Sequence, residues 1–187
     1  MRADAARNLE KILSTAARVL AADPAASMVR IAAETGVDRR TVYRQFESRE
    51  ALLAAIYAAR YDAVELVFES ARLTEAPVAV ALHRYVEGII DATRRWPVAF
   101  DRMIADPATA VRREQLGVRL DAFIQRAIDE GLFRADLPEG WVEALLRQVI
   151  RVAAEDVPQI EVAQAADLAV SALLQGVGRT VSPVARG

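Results

Sequence analysis

Cysteine is absent from the 187 residues. No disulfide frame, thiolate nucleophile or cysteine-based zinc site can therefore be built. Histidine occurs once, as His83, which would leave carboxylates to complete any metal shell and gives base-activated nucleophiles little to work with. Neither a glycine-rich phosphate loop nor an evident pairing of carboxylates is present, so enzyme chemistry is disfavoured. The longest stretch without a charged residue, Leu168 to Gly178, is far shorter than the roughly 18 or more apolar residues a membrane span needs. A basic-then-apolar leader is also missing at the start. These absences lead to the expectation of a cytoplasmic chain with no membrane partner, no metal and no cofactor.

Lysine is confined to Lys11, so 23 of the 24 basic residues are arginine. With that bias a lone arginine says little, and its placement has to carry the argument. Residues 1–60 hold ten basic against seven acidic side chains, a balance of +3, whereas residues 61–187 hold fourteen against nineteen, a balance of −5. The cationic end of this acidic chain is its first third.

Hydrophobic residues make up 53% of the chain and charged residues 27%. Alanine dominates the apolar share, which favours helix over sheet. Leu9, Ile12, Leu13, Ala16, Ala17 and Leu20 form one helical face ending near Asp23-Pro24. Ser27 then stands as an N-cap and Gly36 as the left-handed stop of a helix of about eight residues. Asp38 caps a short helix over about 39–45, and Ser48 caps a longer one running to about Ala71 with Leu53, Ile56, Tyr57, Val64 and Phe68 as its stripe. A fifth helix from Val78 stops at Trp96-Pro97. A sixth, short, spans about 97–105, and Asp106-Pro107 opens a seventh with Gly131 past its end. An eighth follows "DLPEGW" and ends before Pro158, and a ninth centred on Ala169 closes at Gly178. The expected class is all-α, nine helices without a strand, divided into a helix-turn-helix part at 1–47 and a ligand-binding and dimerising part at 48–187.

Two short helices joined by a glycine-containing turn and packed on a longer one make a helix-turn-helix, whose second helix fits a DNA major groove. Arg39 and Arg40 stand in the first turn of that helix, where a guanidinium fork matches O6 and N7 of guanine. Thr41 suits a base or a phosphate, and Tyr43, Gln45 and Arg49 suit phosphate oxygens. Ser27, at the cap of the first short helix, is counted with them.

The stretch "IAAETGVDRRTVYRQFESREALL" resembles the DNA-binding segment of the TetR family of transcriptional regulators, through Ile31-Ala32, Gly36-Val37, Thr41-Val42-Tyr43, Phe46, Ser48-Arg49-Glu50 and Leu52-Leu53. The resemblance implies base or groove contacts from Arg39, Arg40, Thr41 and Arg44 and phosphate contacts from Tyr43, Gln45 and Arg49. It also implies a homodimer on double-stranded operator DNA, released by a small molecule. Position 40 is commonly small in that family and position 45 commonly His, so Arg40 and Gln45 are this chain's own.

Past Tyr57 the resemblance is architectural. Candidate pocket residues are Tyr61, Val64, Phe68, His83, Val86, Ile90, Trp96, Phe100, Met103 and Phe123, because ligand sites are mostly apolar with a few polar anchors. His83 reads first as a partly exposed or satisfied structural histidine, and second as a hydrogen-bonding pocket anchor. The last two helices carry Leu146, Val149, Ala153, Ala169, Leu173 and Gly176, which the family resemblance implies at a dimer interface. The same faces would also suit a purely internal pairing. A ligand-sensing helical protein that reads no operator is the competing function.

Overall fold

Alanine-rich amphipathic stretches become helices here, and the residues between them supply the stops. The structure is a computed structural model that describes residues 2–98, 103 and 106–178, with side chains from Ala6 onward. Among these it holds α1 (Arg2–Ala22), α2 (Met28–Thr35), α3 (Arg39–Gln45), α4 (Arg49–Ala71), α5 (Val78–Arg95), α6 (Ala110–Asp129), α7 (Trp141–Arg151) and α8 (Val162–Val177). A 3-10 turn, Pro107–Thr109, leads into α6, and a π turn, Val152–Asp156, follows α7. The helix expected over 97–105 lies outside the described residues apart from 97, 98 and 103.

All four expected caps form. Side-chain oxygens of Ser27, Asp38, Ser48 and Asp106 accept from the backbone N–H of Arg30, Arg40, Ala51 and Ala108 at 3.3, 2.8, 3.0 and 3.0 Å. Each such bond contributes about 1 kcal/mol by satisfying an otherwise orphaned donor. Gly36 ends α2 at φ 63, a conformation that costs other residues strain. Gly178 closes α8 for a different reason: its backbone is ordinary, but an added Cβ would lie 2.1 Å from the Leu174 carbonyl oxygen.

Gly117 is the opposite case. It sits within α6, and a Cβ there would meet nothing within 4 Å. Gly117→Ala is therefore expected to stabilise the chain by about 0.5–1 kcal/mol. A thermal melt would show this as a Tm rise of roughly 1–4 °C; a fall would mean that the site needs glycine.

The buried side of α4 differs in detail from the expected stripe. Ile56, Tyr57 and Phe68 are buried, Leu53 and Val64 only half so, and Leu52, Arg60, Tyr61, Val67 and Ala71 fill the remaining interior positions. Apolar residues surround α4 on nearly every side, so periodicity alone cannot select one face.

The chain forms two compact units, residues 1–65 with 92–115 and residues 66–91 with 116–187. This division by packing differs from the boundary expected at 47/48. In the first unit, Ile12, Ile31, Val42, Phe46 and Ile56 form one core with Trp96. In the second, Leu82, Val86, Phe133, Leu146 and Leu173 are fully buried. Burial of each such side chain contributes about 1.5–3 kcal/mol.

Candidate nucleic-acid interface

The turn between α2 and α3 is fixed by one hydroxyl. Thr35 Oγ1 donates to the Ala32 carbonyl at 2.8 Å and accepts from the Val37 N–H at 3.2 Å. Ile31 and Val42 are fully buried beneath the two helices, which sets the opposite side of α3 outward. Arg39, Arg40, Tyr43, Arg44 and Gln45 are exposed there, with Thr41 half-buried at the edge.

These cations are not equivalent. The Arg39 guanidinium lies 5.2 Å from the centre of the Tyr43 ring, one helical turn away, and is partly occupied by it. Arg40 and Arg44 are also one turn apart, and among the described residues neither side chain has a partner. Like charges at that spacing cost a helix a few tenths of a kcal/mol, so the pair adds nothing to folding. Both guanidiniums remain available to an external acceptor.

Arg49, expected at a phosphate, is turned inward. Its Nη2 donates to the Pro24 carbonyl and its Nε to the Ala26 carbonyl at 3.4 Å, so the first residue of α4 grips the connection between α1 and α2. Ser27 is engaged as the α2 cap. Arg30, which sequence reasoning passed over, is tied to Asp23 at 2.5 Å.

The expected pocket residues fall in both units. Tyr61, Trp96 and Met103 are buried in the first, with Val64 half-buried; Phe68, Val86, Ile90 and Phe123 are buried in the second. Phe100 lies outside the described residues. Trp96, 5% exposed, shares its core with residues of α1, α2 and α3. His83 Nε2 lies 2.8 Å from Asp167 Oδ1 on α8, and its Nδ1 lies 3.9 Å from Glu87 Oε2.

Four of the six expected dimer residues, Leu146, Ala153, Ala169 and Leu173, are buried within the single chain, where α7 and α8 pack together. Val149 is half-buried and Gly176 exposed. The large apolar residues that α7, its π turn and α8 turn outward are Trp141, Val152 and Leu168.

Sequence reasoning missed a row of arginines on α6. Arg112 donates to Glu65 Oε1 at 2.8 Å, Asp62 Oδ1 at 2.6 Å and the Ala58 carbonyl at 3.4 Å, and stands 5.5 Å from the Tyr61 ring centre. The hydrogen bond to Glu65 is the largest of several contacts that raise its pKa. Seven residues on, Arg119 stands 4.9 Å from the Phe68 ring centre. Seven further, Arg126 donates to the carbonyls of Leu73 and Ala76 at 2.7 and 2.9 Å and pairs with Glu130 at 2.7 Å. The seven-residue spacing was visible in the sequence, but in a chain this rich in arginine it did not stand out.

Among the described residues no helix is long and apolar enough to cross a membrane, and no three His, Cys, Asp or Glu side chains gather as a metal site. The head and its outward cations define a helix-turn-helix DNA-binding regulator. Residues 12–56 match the pattern of bacterial regulatory proteins of the tetR family. The chain is 30% identical over 168 residues to the HTH-type transcriptional repressor LfrR of Mycolicibacterium smegmatis (strain ATCC 700084 / mc(2)155), covering 85% of this chain and 86% of that protein. This chain therefore belongs to the tetR family. The crystal structure of LfrR from Mycobacterium smegmatis in complex with proflavine is similar at a TM-score of 0.70 and 28% identity, covering 95% of this chain and 99% of that one. KstR2 of Mycobacterium tuberculosis, a ketosteroid transcriptional regulator, shares the fold at a TM-score of 0.72 and 18% identity, covering 92% and 95%.

Proposed function

We propose that the chain is a repressor that binds a palindromic operator as a homodimer and leaves it when a small molecule binds the helical body. The observation that carries this reading is the Arg40–Arg44 pair, two exposed cations on α3 without a partner among the described residues. A single recognition helix touches too few base pairs for selectivity, whereas a two-fold pair reads half-sites about 34–36 Å apart or a multiple of that. Trp141, Val152 and Leu168, 54%, 44% and 55% exposed, supply the apolar surface a second copy would cover. That LfrR is a repressor and has been crystallised with proflavine favours repression, and planar aromatic cations as the first effectors to try.

The test is selection of binding sites from a random DNA pool, with native mass measurement of the bound species and addition of proflavine. A palindrome bound by two copies and released by the dye is the expected result. Weak binding without a motif, steeply dependent on salt, would reduce the head to a nonspecific basic patch.

A further inference from the structure

Arg112, Arg119 and Arg126 repeat every seven residues along α6, but among the described residues only the outer two are bound to oxygen. Arg112 has two carboxylates and a carbonyl, and Arg126 has a carboxylate and two carbonyls. Arg119 has the Phe68 ring face at 4.9 Å and, among the described residues, no carboxylate or carbonyl partner. The ring beneath it is 3% exposed and meets Tyr85 edge-on, with centres 5.2 Å apart at 85°. Arg119 itself is exposed. A guanidinium at an exposed site, held only by a ring quadrupole, can leave at little cost.

We propose that the Phe68–Tyr85 pair is the docking face for a planar aromatic cation, and that Arg119 occupies it in the ligand-free chain. The guanidinium is itself a flat, delocalised cation. A larger flat cation offers the same attraction to the ring with more stacking area, and it displaces a side chain anchored nowhere else. Phe68 supplies the face and Tyr85 fixes its orientation from the edge. Arg112 and Arg126 keep their oxygen contacts while the middle position opens. The inference rests on the reading that a small molecule of this class controls this chain, and it adds the ring face that receives it and the contact that the ligand replaces.

Binding alone tests it, without DNA. Acridine orange, a planar aromatic cation, and acridone, a neutral ring system of similar shape, are titrated by fluorescence against the full chain and against Arg119→Ala, Arg119→Lys and Phe68→Tyr. The expected result is that the cation binds more tightly than acridone, and that Arg119→Ala tightens it by about two- to five-fold, the fold-change corresponding to a cation–π contact at an exposed site. Arg119→Lys, which keeps the charge but not the plane, should fall between, and Phe68→Tyr should keep binding within about three-fold because a ring remains. Phe68→Leu should lose most of it, and it is read only if its helical content and melting match those of the parent. No tightening in Arg119→Ala, equal binding of acridone, or no binding by any variant would each overturn the proposal. A dye that binds in this pattern but leaves operator affinity unchanged would overturn the effector reading instead and leave the site standing.

Discussion

Arg40→Ala is expected to weaken binding to the selected operator by about 1–3 kcal/mol, roughly 5- to 150-fold, and to relax the preference for guanine at one position of each half-site. The size follows from what the side chain does in the free protein. It has no partner among the described residues, so its whole hydrogen-bonding capacity is available to a base, and its removal leaves nothing unpaired inside the fold. Thermal stability should therefore stay within about 0.5 kcal/mol of the parent, as for other surface substitutions. Arg39→Ala should cost less, because that guanidinium is shared with the Tyr43 ring. Salt separates the roles. If Arg40 reads a base, its loss is concentrated on sequences carrying that base. If it holds a phosphate, every sequence weakens alike and the salt slope falls by about one. The second outcome would remove Arg40 from direct readout.

The head was legible in the sequence because each of its signals is local. Ser27, Asp38 and Ser48 cap within three residues of themselves, and Gly36 and Thr35 shape a turn of four. Ile31 and Val42 lie where helical spacing puts them. What sequence could not show depends on partners distant along the chain. Arg49 satisfies carbonyls more than twenty residues earlier, which nothing in "SRE" announces. Arg60 is buried at 7% exposure and donates to Thr93 Oγ1 at 2.6 Å, a contact between α4 and α5 that no spacing rule gives. His83 finds Asp167 eighty-four residues away. For α7 and α8 the apolar spacing was legible, but residues that pack inside the chain and residues left exposed can share the same periodicity. Burial separates them, placing Leu146 and Leu173 inside and Trp141 and Leu168 outside.

Trp96→Ala should sharply weaken operator binding at 37 °C although Trp96 is buried in the core and forms no part of the exposed face of α3. Its side chain is 5% exposed in the core that Ile12, Ile31 and Val42 share, and Arg95 beside it pairs with Glu10 of α1. Truncating a buried tryptophan costs about 3–5 kcal/mol, through lost transfer energy and the cavity left behind. Total stabilities are only about 5–15 kcal/mol, so roughly a fifth or more of the margin would go, with a Tm drop of roughly 6–20 °C. Trp141 is more than half exposed in the single chain. Trp141→Phe keeps an aromatic ring on the surface proposed for the second copy and leaves Trp96 as the only indole, whose emission then reports the head core directly. In that background, Trp96 should show blue-shifted, buried emission that moves red in the same transition that ends DNA binding. The helical ends of α2 and α3 would then owe their spacing to a residue contributed from the end of α5, some fifty residues further along the chain. An unchanged melt and unchanged operator affinity in Trp96→Ala would show that α1 to α4 close the head by themselves.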